Sequence, residues 1–289
     1  MLARTTMSVE LLRIAKRAAF AAAEVLREGY HHRNHLVVEA KGINDYVSNI
    51  DREAEERAIA EIKRARPKDF IVAEETADKF RSRKHKAQGA TTWIIDPLDG
   101  TRNFIMGNPH FAVSIAAMQN GEIVAAVVFN PISDELYTAV KGGGAFCNDR
   151  RLRLTTSPSS LEGKVLTTGY AFKEPKRLER QLAVLPALFD AGMADIRRYG
   201  SAALDLCYVA AGRFDGYFEE CVKPWDIAAG ALIAREAKAL VVDFQGGDNY
   251  LETEEVIAGK AAVVREVAQV IHRITQAQKK AAAVLNDKQ

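Results

Sequence analysis

Apolar residues recur at helical spacing from near the start of the chain: Leu12, Ala15, Ala19, Ala22 and Leu26 share one face of a 3.6-residue period, which predicts an amphipathic first helix. A second helix is predicted over 51–65 with Ile50, Ala54, Ala58 and Ile62 as its inner stripe, and Pro67 ends it by driving Arg66 out of the helical region. Its outer face pairs Arg52 with Glu56 and Glu53 with Arg57, read as solvated decoration. The short apolar runs 70–73 and 91–95 predict buried strands. Each runs straight into acids, Glu74 and Glu75 after the first and Asp96 after the second. Runs 111–118, 123–129 and 136–140, separated by Asn120-Gly121 and by the turn residues 131–134, then predict a β-meander that ends at Gly142, Gly143 and Gly144. That triple glycine lacks the Lys-Ser/Thr of a P-loop and reads as a turn.

No repeat or linker divides the chain, and the change of periodicity falls near 148–161. An N-terminal α+β lobe over 1–150 and a C-terminal α/β lobe over 151–289 are therefore expected. In the second lobe helices around 178–191 and 202–211, strands at Ile196 and 216–219, and a helix opening at Pro224-Trp225-Asp226 alternate. A strand over 241–243, a turn at Gly246-Gly247 and a final helix over 261–285 follow. The mixture predicts a layered α/β (α+β) fold.

Composition narrows the function classes. The 289 residues are 48% hydrophobic and 27% charged with 8 Pro, as in a soluble globular chain rather than a disordered or fibrous one. Forty Lys+Arg against 38 Asp+Glu leave a net charge of +2, too balanced for a nucleic-acid binder on bulk charge. Three distant cysteines, Cys147, Cys207 and Cys221, fit a reducing compartment, so a cytoplasmic protein is expected, with Cys207 and Cys221 as small buried hydrophobes. The apolar stretch 18–26 is broken by Glu24 and falls far short of the ~18 residues of a membrane span, so no membrane association is expected. Residues 1–9 carry Arg4 and no acid, but the helical pattern that begins at once reads as mature sequence rather than a transit peptide. The six histidines lack metal-ligand spacing and read as surface residues.

The window 93–104 carries the chemistry. Trp93, Ile94 and Ile95 drive a strand into the core, and the chain then emits Asp96 and Asp99 across a turn that contains Pro97, Leu98 and Gly100. Asp-Pro and Asp-Gly are also ordinary turn pairs, so spacing alone leaves a turn reading open. Two carboxylates so close repel unless a cation joins them, and Mg²⁺ takes carboxylate and carbonyl oxygens. Gly100 and Thr101 would open a helix whose first amides suit a phosphate. Glu74, Glu75 and Asp226 each sit where an apolar element starts or ends, which points to a shared cleft.

In ordered agreement along nearly the whole chain, the sequence resembles the inositol monophosphatase family, most closely its SuhB-type bacterial branch. The agreement runs through Lys41, Asp45 to Asp51, Ala73-Glu74-Glu75, Trp93 to Thr101, Gly200 to Ala203 and Trp225-Asp226. The resemblance implies the αβαβα sugar-phosphatase sandwich and a cytoplasmic, lithium-sensitive homodimer that hydrolyses inositol monophosphate with two or three Mg²⁺ per site. It implies Glu74, Asp96 and the Leu98 carbonyl as ligands of a first metal, and Asp96, Asp99 and Asp226 as ligands of a second. Thr101 with Asp51 resembles the pair that activates the attacking water, with Glu74 in support. Gly100 and Thr101 match a phosphate seat, and Asp99, Gly200, Ser201, Ala202, Glu219 and Asp226 match positions that line the polyol. Lys41 and Asp45 lie in the motif without an assigned role.

Departures from the pattern leave alternatives open. Arg102 stands where inositol phosphatases usually have Thr, a position often basic in histidinol-phosphate and nucleotide 3′-phosphate phosphatases, while Asn103 favours the inositol type. Ala73 replaces a common Gly, and Lys238-Ala239 replaces a Gly-Gly pair. Hydrolysis of another small phosphate, histidinol phosphate or fructose bisphosphate among them, is one alternative. The other is a partner role in transcription antitermination, which the SuhB-type branch implies; the basic run Lys79, Arg81, Arg83, Lys84 and Lys86 is the one feature that could serve such a partner or draw phosphate substrates toward Glu74, and a solvated loop is the favoured reading of it.

Overall fold

Period-two alternation decides how the first sheet is buried. In β5 (Ala112–Gln119) and β6 (Glu122–Asn130), Val113, Ile115, Ala117, Ala125, Val127 and Phe129 face one apolar cluster, while Ala112, Ala116, Ala126 and Val128 face another. A sheet apolar on both faces must be covered on both. The computed structural model describes residues 2–76, 90–155 and 160–286, and in it helices α1 (Leu2–His31) and α2 (Asn49–Ala65) cover the first face. Helices α5 (Ala202–Ala210) and α6 (Pro224–Glu236) cover the second. A second sheet packs on the far side of α5 and α6, and α4 (Pro175–Asp190) and α8 (Ala261–Asn286) close its outer face. The layers therefore run α, β, α, β, α, and α5 and α6 are apolar almost all round because they are enclosed by two sheets.

Among the described residues the larger sheet has seven strands in the order β3-β4-β5-β6-β7-β8-β9, with β3 (Phe70–Ala73) parallel to β4 (Thr91–Asp99) and the rest, β7 (Glu135–Val140) included, antiparallel. The smaller has the order β11-β10-β12-β14-β13, where β11 is Asp195–Arg197, β12 Gly216–Glu220 and β13 Leu240–Val242. The meander continues past the glycine turn into β8 (Gly144–Cys147) and β9 (Arg150–Leu152). A hairpin, β1 (Val38–Gly42) with β2 (Asp45–Ser48), was not legible because its first strand is exposed throughout and shows no alternation. The strands β10 (Val165–Thr168) and β14 (Glu255–Gly259) were missed because their apolar runs are too short to stand out.

The strand predicted over 91–95 runs on to Asp99, because Asp96 pairs with Ser114 and Asp99 with Ala112, three residues against two. That bulge puts an extra residue into β4 and accommodates Pro97, which lacks a ladder donor. In a regular strand Asp96 and Asp99 would point to opposite faces; the bulge brings both to one end of the sheet.

Lys238 ends α6 in the left-handed region, at φ 79°. The Ala239 amide donates to the Ala234 carbonyl and the Lys238 amide to the Arg235 carbonyl, the pairing of a Schellman stop in which glycine is the usual residue. Lys238→Gly is therefore expected to raise stability by about 1 kcal/mol, read as a shift in denaturant midpoint at unchanged slope. An unchanged midpoint would show that the lysine sits there without strain.

Candidate functional site

Helix N-termini and strand ends converge on a cleft of about 500 Å³. Glu74 lies just beyond β3, and Asp96 and Asp99 lie on the bulged end of β4. Asp51 is the third residue of α2, where it accepts hydrogen bonds from the Ser48 amide and hydroxyl. Asp226 occupies the same position in α6 and accepts from the Lys223 amide at 2.7 Å. A carboxylate in a first helical turn is favoured by the unpaired amides around it, which helps Asp226 to stand in the cleft and Asp51 to be buried behind it. Gly100, at φ 98°, opens the short helix α3 (Thr101–Met106). A Cβ at Gly100 would meet the His110 carbonyl at 3.0 Å and the Gly200 carbonyl at 3.2 Å, so the turn that delivers Thr101 tolerates no side chain.

The Thr101 hydroxyl donates to Asp51 Oδ1 at 2.9 Å and also lies 3.1 Å from the Leu98 carbonyl. Asp51 is buried beneath Thr101, and loss of solvent raises its pKa despite the Ser48 bonds. Thus Thr101, Asp51 and the Leu98 carbonyl, inferred from resemblance to act near one another, lie together.

Four of the carboxylates that line the cleft, Glu74, Asp96, Asp99 and Asp226, act on one another electrostatically. Burial first, and then mutual repulsion among Glu74, Asp99 and Asp226, pushes Asp96 well above the usual carboxylate range. Asp226 is raised for the same reasons, and Asp99 rises to about 6, chiefly by burial against the pull of the Ser201 hydroxyl and the Ala203 amide. Glu74 is raised by burial, in hydrogen-bonding contact with Asp96. Lys41 is the cation within reach: its Nζ lies 3.2 Å from Glu74 Oε1 and 2.6 Å from Glu75 Oε1, and these acids outweigh its own desolvation and raise its pKa. Among the described residues no three Asp, Glu, His or Cys side chains form a ready metal cage. Each acid is turned instead toward protein donors, as Asp99 is to Ser201 Oγ at 2.6 Å and Asp96 to the Leu98 amide at 2.9 Å. The set is nonetheless one of hard oxygen donors with charge to neutralise, and it fits divalent cations in kind.

The opposite wall comes from the second sheet. Glu219, on β12 (Gly216–Glu220), accepts from the Tyr217 hydroxyl at 2.8 Å, and burial lifts it to about 7. A Cβ at Gly169 would overlap the Glu219 carboxylate, so a bare backbone there is what admits it. Gly200 and Ala202 line the cleft as well. Ser201 does not: it is buried, and its hydroxyl is committed to holding Asp99 and capping α5 through the Leu204 amide. Cys221, expected as a buried hydrophobe, is half-buried on the cleft wall, whereas Cys207 is buried as expected. His110, read as a surface residue, is partly buried against Tyr199 and Tyr208, and burial lowers its pKa to about 4. Sequence reasoning missed Tyr170, Phe172, Lys173 and Arg198 of this wall, which lie in loops without a motif. The basic run 79–86 lies outside the described residues.

A profile of the inositol monophosphatase family matches residues 7–280. The Nus factor SuhB of Pasteurella multocida is 48% identical over 257 residues, covering 89% of this chain and 94% of the relative. Among solved structures, the extragenic suppressor protein SuhB of Bartonella henselae superposes with TM-score 0.82 at 40% identity, over 91% of this chain and 98% of that one. The IMPase of Thermotoga maritima does so with TM-score 0.80 at 32% identity, over 92% and 98%.

Proposed function

The chain belongs to the inositol monophosphatase family, and on that premise we propose that it is a Mg²⁺-dependent phosphomonoesterase acting on a small polyol phosphate, myo-inositol monophosphate foremost. The observation that carries this reading is the convergence of Glu74, Asp96, Asp99 and Asp226 beside the Thr101–Asp51 pair in one cleft. Glu74, Asp96 and the Leu98 carbonyl would hold one cation, and Asp96, Asp99 and Asp226 another. Bound cations polarise the phosphoryl oxygens, lower the pKa of water and stabilise the departing alkoxide. Thr101, donating to Asp51, keeps its oxygen lone pairs for the attacking water and aligns it with the phosphorus. The first-turn amides at Gly100 and Thr101 seat the phosphate. Asp51, its proton affinity raised by burial, takes up the proton through Thr101. A cytoplasmic, lithium-sensitive homodimer belongs to the same reading; no helix among the described residues is long and apolar enough to cross a membrane.

The direct test is phosphate release from a panel of phosphomonoesters with and without Mg²⁺. Within that panel Glu219 separates the polyol from the phosphate, because its carboxylate faces the cleft without belonging to the acid cluster. Glu219→Gln is expected to lose about 1.5–3 kcal/mol of transition-state stabilisation in kcat/KM for inositol phosphate. An aryl phosphate has no hydroxyls to present, and its hydrolysis should fall much less. Equal losses on both would make Glu219 a residue of the acid cluster or of the fold.

The name of the Pasteurella relative, a Nus factor, favours a second reading in which a transcription partner binds this chain. Binding a partner does not require the acid cluster, so the two readings separate in a variant that lacks Asp96.

A further inference from the structure

The mouth of the cleft carries positive charge that the proposed chemistry leaves idle. Lys41, Arg102, Lys173, Arg198 and Lys223 all line it. Three of them are committed: Lys41 to Glu74 and Glu75, Lys173 to Asp45 at 2.6 Å, and Lys223 to Glu254 at 2.7 Å. Arg102 and Arg198 make no ion pair among the described residues; each lies over an aromatic ring, Arg102 at 5.0 Å from the centre of Tyr46 and Arg198 at 5.7 Å from that of Phe172. A ring occupies the flat face of a guanidinium and leaves its edge, with the N–H donors, for an anion in the same plane.

The two arginines stand on opposite walls. Arg102 and Tyr46 belong to α3 and β2, whereas Arg198 and Phe172 follow β11 (Asp195–Arg197) and β10. The Asp45–Lys173 ion pair joins the same two walls, so they approach within the reach of one pair of side chains. Gly200, at φ 86°, makes room for Arg198: a Cβ there would stand 2.9 Å from its Nη1 and 3.4 Å from Asn103 Nδ2. Glu219 and Asp205 share the field of Arg198 without pairing with it.

We propose that Arg102 and Arg198 form an anion subsite at the cleft mouth that reads a second acidic group on the leaving group of the substrate. The inference rests on the phosphatase reading and narrows it: favoured substrates are polyol phosphomonoesters that carry a further phosphate or carboxylate. Bidentate, charge-assisted contacts from an arginine edge suit either group.

Matched pairs test this. The kcat/KM values of myo-inositol 1,4-bisphosphate and 1-phosphate are compared for the phosphate arm, and those of 2-phosphoglycerate and glycerol 2-phosphate for the carboxylate arm. The wild-type protein is expected to prefer the doubly acidic member of at least one pair by about tenfold or more, with the arm that responds identifying the group. Arg102→Gln and Arg198→Gln should each reduce that ratio several-fold, chiefly through KM, and raised salt should reduce it further. Calorimetric binding of the same pairs to the Mg²⁺-free protein gives the ratio without turnover, so a protein that fails to hydrolyse any of them still tests the subsite. Ratios within twofold of unity in both arms, or equal losses on both members of a pair in the variants, overturn the proposal.

Discussion

Removing divalent cations is expected to abolish phosphate release, and added Mg²⁺ to restore it. Asp96 is buried against Glu74, Asp99 and Asp226, and burial first and their repulsion second raise its pKa, while the described ion pair of Lys41 reaches Glu74 alone of the four. Asp96→Asn removes the charge assigned to both cations and should lower kcat at least ~10²-fold, the scale of losing a principal electrostatic stabiliser. The same substitution should stabilise the metal-free protein. A carboxyl whose pKa is higher folded than unfolded binds more protons in the folded state across the interval between the two values, so stability falls as pH rises through it. For Asp99 that interval runs from 3.8 to about 6, and Asp96 and Asp226 extend it upward. Thermal midpoints in chelator should therefore drop from about pH 4 upward, less steeply in Asp96→Asn, and Mg²⁺ should restore them most at neutral pH. Hydrolysis undiminished in a metal-stripped sample would end the proposed mechanism. Under the second reading, Asp96→Asn keeps its partner while losing turnover.

The elements α1, α2 and the β5–β7 meander were legible because each carries enough apolar positions to declare a period, and α6 by its opening Pro224, whereas the α, β, α, β, α order was only what the family resemblance implied. Missing elements are those whose formation depends on distant partners. The hairpin β1–β2 has no apolar alternation, and β10 has only four residues, which become a strand by lying between β11 and β12. The acid cluster was legible by contrast, since carboxylates directly after apolar strands have no packing rationale. What no spacing could reveal was the service behind the acids: Ser201 holding Asp99, Lys41 bridging Glu74 and Glu75, and Gly169 making space for Glu219. These contacts join residues far apart in the chain, and Ser201 in particular reads as a cleft residue until its hydroxyl is seen to be occupied.

Thr101→Val, which keeps the shape and deletes the hydroxyl, should lower kcat by about 10²–10⁴-fold with little change in KM, the range for losing a positioned proton-transfer group. Asp51→Asn should fall in the same range while retaining an oxygen to accept from the Ser48 amide in the capping box of α2. The decisive measurement is the pair together. Thr101 donates to Asp51 at 2.9 Å, and Asp51 is buried beneath it, so the carboxylate is expected to reach the water only through the hydroxyl. Once either member is gone the other has no path to act, and the double variant should be no slower than the worse single one. Thr101→Ser, which restores the hydroxyl, should recover most of the rate. Losses that multiply in the double variant would mean that Asp51 supports the fold and Thr101 acts alone, and near-normal thermal midpoints in both single variants would exclude unfolding as the cause.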